Sequence, residues 1–244
     1  MKAILVRVAI DQTSGGWNAP MDPESGRFVY VPIPESKPMR SEYERTYGEI
    51  IPELDRFCGY FGVNLEEDLA FPPALERLRM HLDPDFEHLT YGDNGDFRGS
   101  GMKEMQKDDL LVFYGGLRPI RPCGGKLVYA LLGVFVVKEV VLATKVPQER
   151  RNENAHTRKV RIGKPDIVVR ARPGCSGRLA QCVPIGEWRN RAYRVRRDIL
   201  QTWGGLSVKD GFIQRSAVPP TFLDPERFYG WFLELQIPFV RRNN

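Results

Sequence analysis

Two apolar runs in the middle of the chain constrain its fold more than any other feature. Asp109-Leu110-Leu111-Val112-Phe113-Tyr114 is short and closed by Gly115-Gly116, while Leu127 to Thr144 is longer and rich in β-branched residues. Such side chains suit a pleated surface, so the two runs read as long paired strands of a curled sheet, the second bending at Lys138-Glu139. Lys2 to Ile10 alternates apolar and polar residues and reads as another strand entering the core. Arg27 to Pro32 reads as a further strand, stopped by Pro32, Pro34 and Pro38. Short strands are expected near Ile167 and Leu179. Helical character is expected in part of Ser41–Phe61, with Pro52 able to open a turn. It is also expected over Pro73–Leu82, with Leu75, Leu78 and Leu82 on one face, and over Tyr193–Trp203. Phe228 to Phe232 is aromatic-rich and should pack on the core. No repeat or long linker interrupts residues 1–244. The reading is one α+β domain, a curled, mostly antiparallel mixed sheet with peripheral helices.

The composition fits that reading. At 244 residues, 42% hydrophobic and 27% charged, the chain can bury a core and is neither disordered nor a membrane bundle. No apolar run approaches the roughly 20 residues of a membrane span. Ala3-Ile4-Leu5-Val6 runs into Arg7 without a small-residue cleavage site, so no signal peptide is expected. Cys58, Cys123, Cys175 and Cys182 form no C-x-x-C pair and read as reduced thiols in a cytoplasmic protein.

Charge is unevenly spread. Residues 1–110 hold 12 Lys/Arg and 21 Asp/Glu, a net of −9, and residues 111–244 hold 24 and 10, a net of +14. Within the domain, 1–144 is an acidic half that carries the core strands and 145–244 is a basic half. Such a split points to a polyanionic partner.

Three segments could carry chemistry. Asp11 to Pro20 is a loop in which the amides of Ser14, Gly15 and Gly16 could face an anion, with Trp17 to stack and Asn18 to read a base edge. Neither a P-loop nor a dinucleotide fingerprint follows it. His81-Leu82-Asp83-Pro84-Asp85 places three ligand-type side chains within five residues, suited to a divalent ion, to acid–base work, or merely to an Asp-Pro turn. Arg150 to Lys159 surrounds Asn154 and His156 with cations. Arg150, Arg151, Arg158, Lys159, Arg161, Arg178, Arg194 and Arg197 together suggest phosphate contacts, with Trp188 available for stacking. No Ser or Cys nucleophile motif appears, and His81, His88 and His156 are too dispersed along the sequence to name a zinc site, so no metal ligand set is assigned.

In order, these segments resemble a known family, the nucleotide modification associated domain of the third type. The likeness rests on Asp11 to Gly16 and Pro20, Val31 to Glu35, Thr46-Tyr47-Gly48-Glu49, His81 to Asp85, Asp108 to Arg118, Leu132 to Phe135 and Asn154-Ala155-His156. Asp108-Asp109 stands where the family usually has Gly-Asp, and Asn18-Ala19-Pro20 where it has a Pro-Ser-Pro-like stretch. The resemblance implies a role beside DNA base modification in bacteria, archaea or phages, including restriction and phage-defence systems. A second, architectural likeness is to domains of the PUA and EVE type, which hold one modified nucleotide in a pocket.

The first functional expectation is a module that binds a modified base or nucleotide in DNA. Trp17, Tyr114 or Trp188 would stack on it, Asn18, Asn154 or His156 would read its edge, Arg118 would also contact the nucleotide, and the arginines from Arg150 onward would hold phosphates. The alternative is a nucleotide-modifying transferase or hydrolase in which Asp11, His81, Asp83 and Asp85 converge around Mg²⁺. The third is an accessory subunit whose acidic half docks a DNA-modification enzyme. No membrane partner is expected.

Overall fold

The computed structural model describes residues 1–95, 100–123, 126–214 and 218–244. In chain order its strands are β1 (Ala3–Arg7), β2 (Pro20–Met21), β3 (Ile33–Pro34), β4 (Met80–His81), β5 (Thr90–Asp93) and β6 (Leu110–Pro119). They continue as β7 (Val128–Leu142), β8 (Ile167–Ala171), β9 (Gly177–Pro184), β10 (Gly186–Arg189), β11 (Ala192–Val195) and β12 (Phe239–Val240). The α-helices are α1 (Ile51–Tyr60), α2 (Ser100–Lys103), α3 (Ala155–Arg158), α4 (Arg197–Thr202) and α5 (Pro225–Glu234).

The two central runs pair as their composition dictates. β6 and β7 are antiparallel, from Leu110 opposite Val136 to Leu117 opposite Val128. The main sheet runs β1-β6-β7-β8-β5, with β2 added to β6, β9 to β7 and β12 to β9. β1 and β2 lie parallel to β6, and the remaining pairs are antiparallel, so the sheet is mixed. Among the described residues the strands do not close into a barrel. The bend expected at Lys138-Glu139 is a register shift between Val137 and Glu139, where β7 passes to β8.

The continuous apolar character of β6 follows from burial on both faces. Alternate residues Leu111 and Phe113 enter a core with Trp17, Tyr30, Tyr47 and Phe86. Leu110, Val112 and Tyr114 enter a second core with Trp203, Phe222, Phe228 and Phe232. The aromatic run near the C-terminus is therefore the inner face of α5. Burying a large apolar side chain contributes about 1.5–3 kcal/mol.

Three local expectations change. Phe28 makes one bridge, to Met21, the segment up to Pro32 forms no strand, and pairing begins rather than stops at the prolines, with Ile33–Pro34 as β3. Pro73–Leu82 is a 3₁₀ turn at Pro73–Leu75 followed by β4, because Met80 bonds the Arg45 carbonyl and Leu78 faces solvent. Tyr193 and Val195 belong to β11, and the helix starts only at Arg197.

Candidate metal centre

The centre is assembled by four short segments. β3 and β4 pair with Ile33 opposite His81, which brings Glu35 alongside the His81 ring. His81 Nδ1 lies 2.6 Å from Glu35 Oε2. Asp83 follows two residues on. Its carboxylate accepts the Gly92 amide of β5, at 2.8 and 3.0 Å, and the Asn154 amide at 3.0 Å. Asn154 is the N-cap of α3, its side-chain oxygen accepting the His156 N–H at 2.8 Å. That cap holds His156 against Asp83. The outer nitrogen of His156, Nδ1, lies 3.2 Å from Asp166 Oδ2, and Lys159 donates to the same oxygen at 3.1 Å.

The two imidazoles are arranged alike. Each Nε2 lies 3.8 Å from Asp83 Oδ2, and the ligand atoms of His81, Asp83 and His156 all lie within 4.8 Å of one another. Ligands about 2.1 Å from a tetrahedral or octahedral ion stand about 3.0–3.4 Å apart, so a small contraction would close this set around one ion. The outer shell orients both rings. Burial works upward on Glu35, but the hydrogen bond and charge of His81 outweigh it and hold the carboxyl below its usual range. Burial likewise works upward on Asp166, yet hydrogen bonds from His156 and Lys159 bring it down to about 2. An ionised carboxylate only accepts, so the Nδ1 of His81 donates to Glu35. The Nδ1 of His156 lies between Asp166 Oδ2 at 3.2 Å and Lys159 Nζ at 3.1 Å, and the Nε2 of each ring faces Asp83. A carboxylate behind each ligating histidine is the usual second shell of a metal site.

Asp83 completes the set. It is buried, and burial raises its carboxyl above the ordinary range despite attraction from His81 and His156 and the bonds from Gly92 and Asn154. A cation between the rings would offset that penalty. The three groups face a cavity of about 430 Å³, whose wall also includes Arg7, Lys37, Tyr91 and Lys159. Acidic-half residues Glu35, His81 and Asp83 and basic-half residues His156 and Lys159 therefore line one cavity.

Gly92 is essential to this packing. A Cβ there would meet Asn154 Oδ1 at 2.4 Å and the His156 ring at 2.5 Å. Gly92→Ala should displace His156 and lower metal affinity by about 10–100-fold, the range for lost ligand orientation. Metal titration monitored by calorimetry checks this; unchanged affinity would show that His156 is not positioned through Gly92.

The other residues singled out in the sequence lie elsewhere. Asp11 closes its own turn, accepting from Thr13 and Ser14 at 2.6 and 2.9 Å, and pairs with Arg7 at 2.7 Å. The Ser14 and Gly16 amides bond Asp11, and a Cβ on Gly15 would strike Ile10 at 2.5 Å. Trp17 is buried, with its indole N–H on the Leu69 carbonyl. Asn18 donates to the Gly116 carbonyl, Tyr114 to that of Ile213, and Arg118 to those of Leu69 and Asp68. Asp85 turns away from Asp83 and pairs with Arg158 at 2.6 Å and His88 at 3.0 Å. Trp188 stands exposed on β10.

Much of the basic half is internally paired. Arg150 meets Glu153 and Lys159 meets Asp166, while Arg194 approaches Asp210. Arg151 is half-buried, its carbonyl accepting from Thr157, and Arg161 and Arg197 are exposed. Among the described residues no carboxylate stands within ion-pair distance of Arg151, Arg161, Arg178 or Arg197. Sequence reasoning missed Glu35, Gly92 and Asp166. Glu35 reaches His81 only through the β3–β4 register, and Asp166 reaches His156 only through the loop before β8. The one local signal was the proximity of Asp166 to the Asn154–His156 element.

The family model of nucleotide modification associated domain 3 matches residues 2–211. The chain belongs to that family. No curated protein and no solved structure matches it.

Proposed function

We propose that this member of the nucleotide modification associated domain 3 family is a metal-dependent enzyme that modifies a nucleotide or a base of DNA. One observation carries the reading: His81, Asp83 and His156 converge on a cavity, with the outer nitrogen of each ring held by a carboxylate. Two imidazoles and one carboxylate suit a first-row divalent transition ion, such as Fe²⁺, Mn²⁺ or Zn²⁺, better than Mg²⁺. Three protein ligands leave positions for water or substrate. The bound ion would supply Lewis acidity to a substrate oxygen or to a water. Lys37 on the cavity wall, with no carboxylate in ion-pair distance among the described residues, would attract the phosphate of a nucleotide, beside Arg7 and Lys159, which are paired with Asp11 and Asp166. Asp11 and Asp85 fall outside the ligand set because their carboxylates are committed to Arg7 and Arg158.

The reading as a passive base reader has less support. Such a pocket gains affinity from aromatic platforms, worth about 1–3 kcal/mol per stacked base. Trp17 and Tyr114 are built into the cores, and Tyr91 is the aromatic residue on the cavity wall apart from the two imidazoles. A curled sheet of PUA or EVE type would place the cavity at its rim, and the register shifts in β7 favour such curvature.

The test is metal content and gain of stability. Chelated protein should take up about one equivalent of Fe²⁺, Mn²⁺ or Zn²⁺. A free-ion concentration one hundred times Kd should stabilise it by about 2.7 kcal/mol. Reloaded protein should then convert nucleotides or DNA, followed by mass spectrometry of the nucleosides. Absence of stoichiometric uptake, or full uptake by His156→Ala, would falsify the metal centre.

A further inference from the structure

We propose a second ligand site, independent of the metal centre: an anion pocket for a phosphate group, built around Arg178. It lies between the Phe28–Val29 segment, α1, β9 and the chain after β12, and encloses about 310 Å³. Arg27, Arg56, Arg178 and Arg242 line it, against one acidic side chain, Glu53, which is bonded to Arg56.

Arg178 is the unusual member. It is 7% exposed, yet among the described residues no carboxylate, side-chain or terminal, comes within ion-pair distance of it. Its Nε reaches the Arg242 carbonyl at 3.4 Å and Nη1 the Leu179 carbonyl at 3.5 Å, both long and weak. The guanidinium lies over the Phe28 ring, 5.1 Å from its centre. A guanidinium offers five N–H donors in a planar fork, and buried charges are normally paired. Burial and the like charge of Arg242 depress the group to about 10, despite the attraction of Glu53. Arg27 likewise has no carboxylate in ion-pair distance among the described residues; it stacks on Tyr60, 4.6 Å from the ring centre. Among the described residues, three guanidinium groups without carboxylate partners, one of them buried, converge on one pocket. A phosphate matches the fork geometry of Arg, accepts several charge-assisted hydrogen bonds and removes the mutual repulsion.

Two sources share this chemistry, a free phosphate or mononucleotide and the backbone of a polynucleotide, and one experiment separates them. Inorganic phosphate is titrated into the full chain at low ionic strength by calorimetry and thermal unfolding, and a short single-stranded oligodeoxynucleotide is titrated at several salt concentrations. Saturable phosphate binding is expected, weakened roughly tenfold or more by Arg178→Gln and less by Arg242→Gln. In phosphate-free buffer Arg178→Gln should unfold at the same or a higher temperature, because it removes an unneutralised buried charge. That control separates lost binding from lost folding. If Arg178→Gln also weakens the oligonucleotide and lowers its salt slope by about one, the pocket takes backbone phosphate. If oligonucleotide binding is unchanged while phosphate binding falls, the ligand is a free phosphate or mononucleotide. Equal phosphate affinity in wild type and Arg178→Gln, or no saturable binding in wild type, overturns the site. Asp83→Asn should keep this phosphate binding while losing the metal, so failure of either reading is visible without the other.

Discussion

Asp83→Asn is expected to abolish stoichiometric binding of a divalent transition ion while leaving the metal-free protein at least as stable as wild type. The amide oxygen can still accept from the Gly92 N–H and from Asn154, which both reach Oδ1, so only the 3.0 Å Gly92 contact at Oδ2 is lost. What disappears is a charge whose burial already works against it. The remaining two imidazoles would bind weakly, and affinity should fall by well over about 100-fold. Glu35→Gln and Asp166→Asn stand one step out, behind His81 and His156, and should cost about 10–100-fold each. Isothermal titration with Zn²⁺ or Mn²⁺, alongside urea unfolding of the chelated proteins, measures both halves of the claim. Near-wild-type affinity in Asp83→Asn would remove Asp83 from the ligand set. A lower unfolding midpoint of the chelated variant would mean that the carboxylate serves the fold.

The gradation among these variants mirrors what was legible in the sequence. Period and composition revealed β1, β6 and β7, because an alternating or β-branched run carries its own signal. The His81–Asp85 segment could be recognised as ligand-rich, but which of its members converge could not. Along an extended chain residues two apart share a face, and His81 and Asp83 do so. Asp85 would follow the same rule, yet it pairs with Thr90 in a new bridge and its side chain turns toward Arg158. The third ligand arrives from 73 positions further along, since His156 is placed by its Asn154 cap and by Asp83. Such long-range pairings depend on strand register, which no local pattern records. The same limit applies to charge. The arginine-rich second half reads as one phosphate-binding surface, but Arg150, Arg158, Arg170, Arg172, Arg189, Arg194 and Arg196 each face a carboxylate. Count alone could not separate these from Arg178, Arg161 and Arg197. The family resemblance reached further than either signal, because it weighs order and identity of segments together.

Arg158→Ala is expected to be the most damaging single change to stability, about 3–5 kcal/mol by urea unfolding. Arg158 is 3% exposed and Asp85 is fully buried, and their 2.6 Å contact joins α3 to the turn that carries Asp83. Arg158 also donates to the Asn152 side chain and carbonyl, closing the loop ahead of α3. Removing the guanidinium leaves the Asp85 carboxylate buried with His88, Asn243 and two backbone amides as its remaining partners. The pH dependence has a definite sign. Burial works upward on Asp85, but His88 and Arg158 outweigh it and bring its carboxyl down to about 2. A depressed carboxylate contributes stability above the unfolded value of about 3.9 and loses it as pH falls toward 2. Wild type should therefore lose stability steeply between about pH 4 and pH 2, and Arg158→Ala should show a shallower loss there. Arg150→Ala provides the contrast: Arg150 is half-exposed and the buried Glu153 keeps Arg170 as its partner at 2.7 Å, so the loss should cost under about 1 kcal/mol. If Arg158→Ala and Arg150→Ala proved equally mild, the buried Arg158–Asp85 pair would not brace the fold. A large gap between them would identify Arg158 as the brace that keeps Asp83 and His156 within reach of one ion.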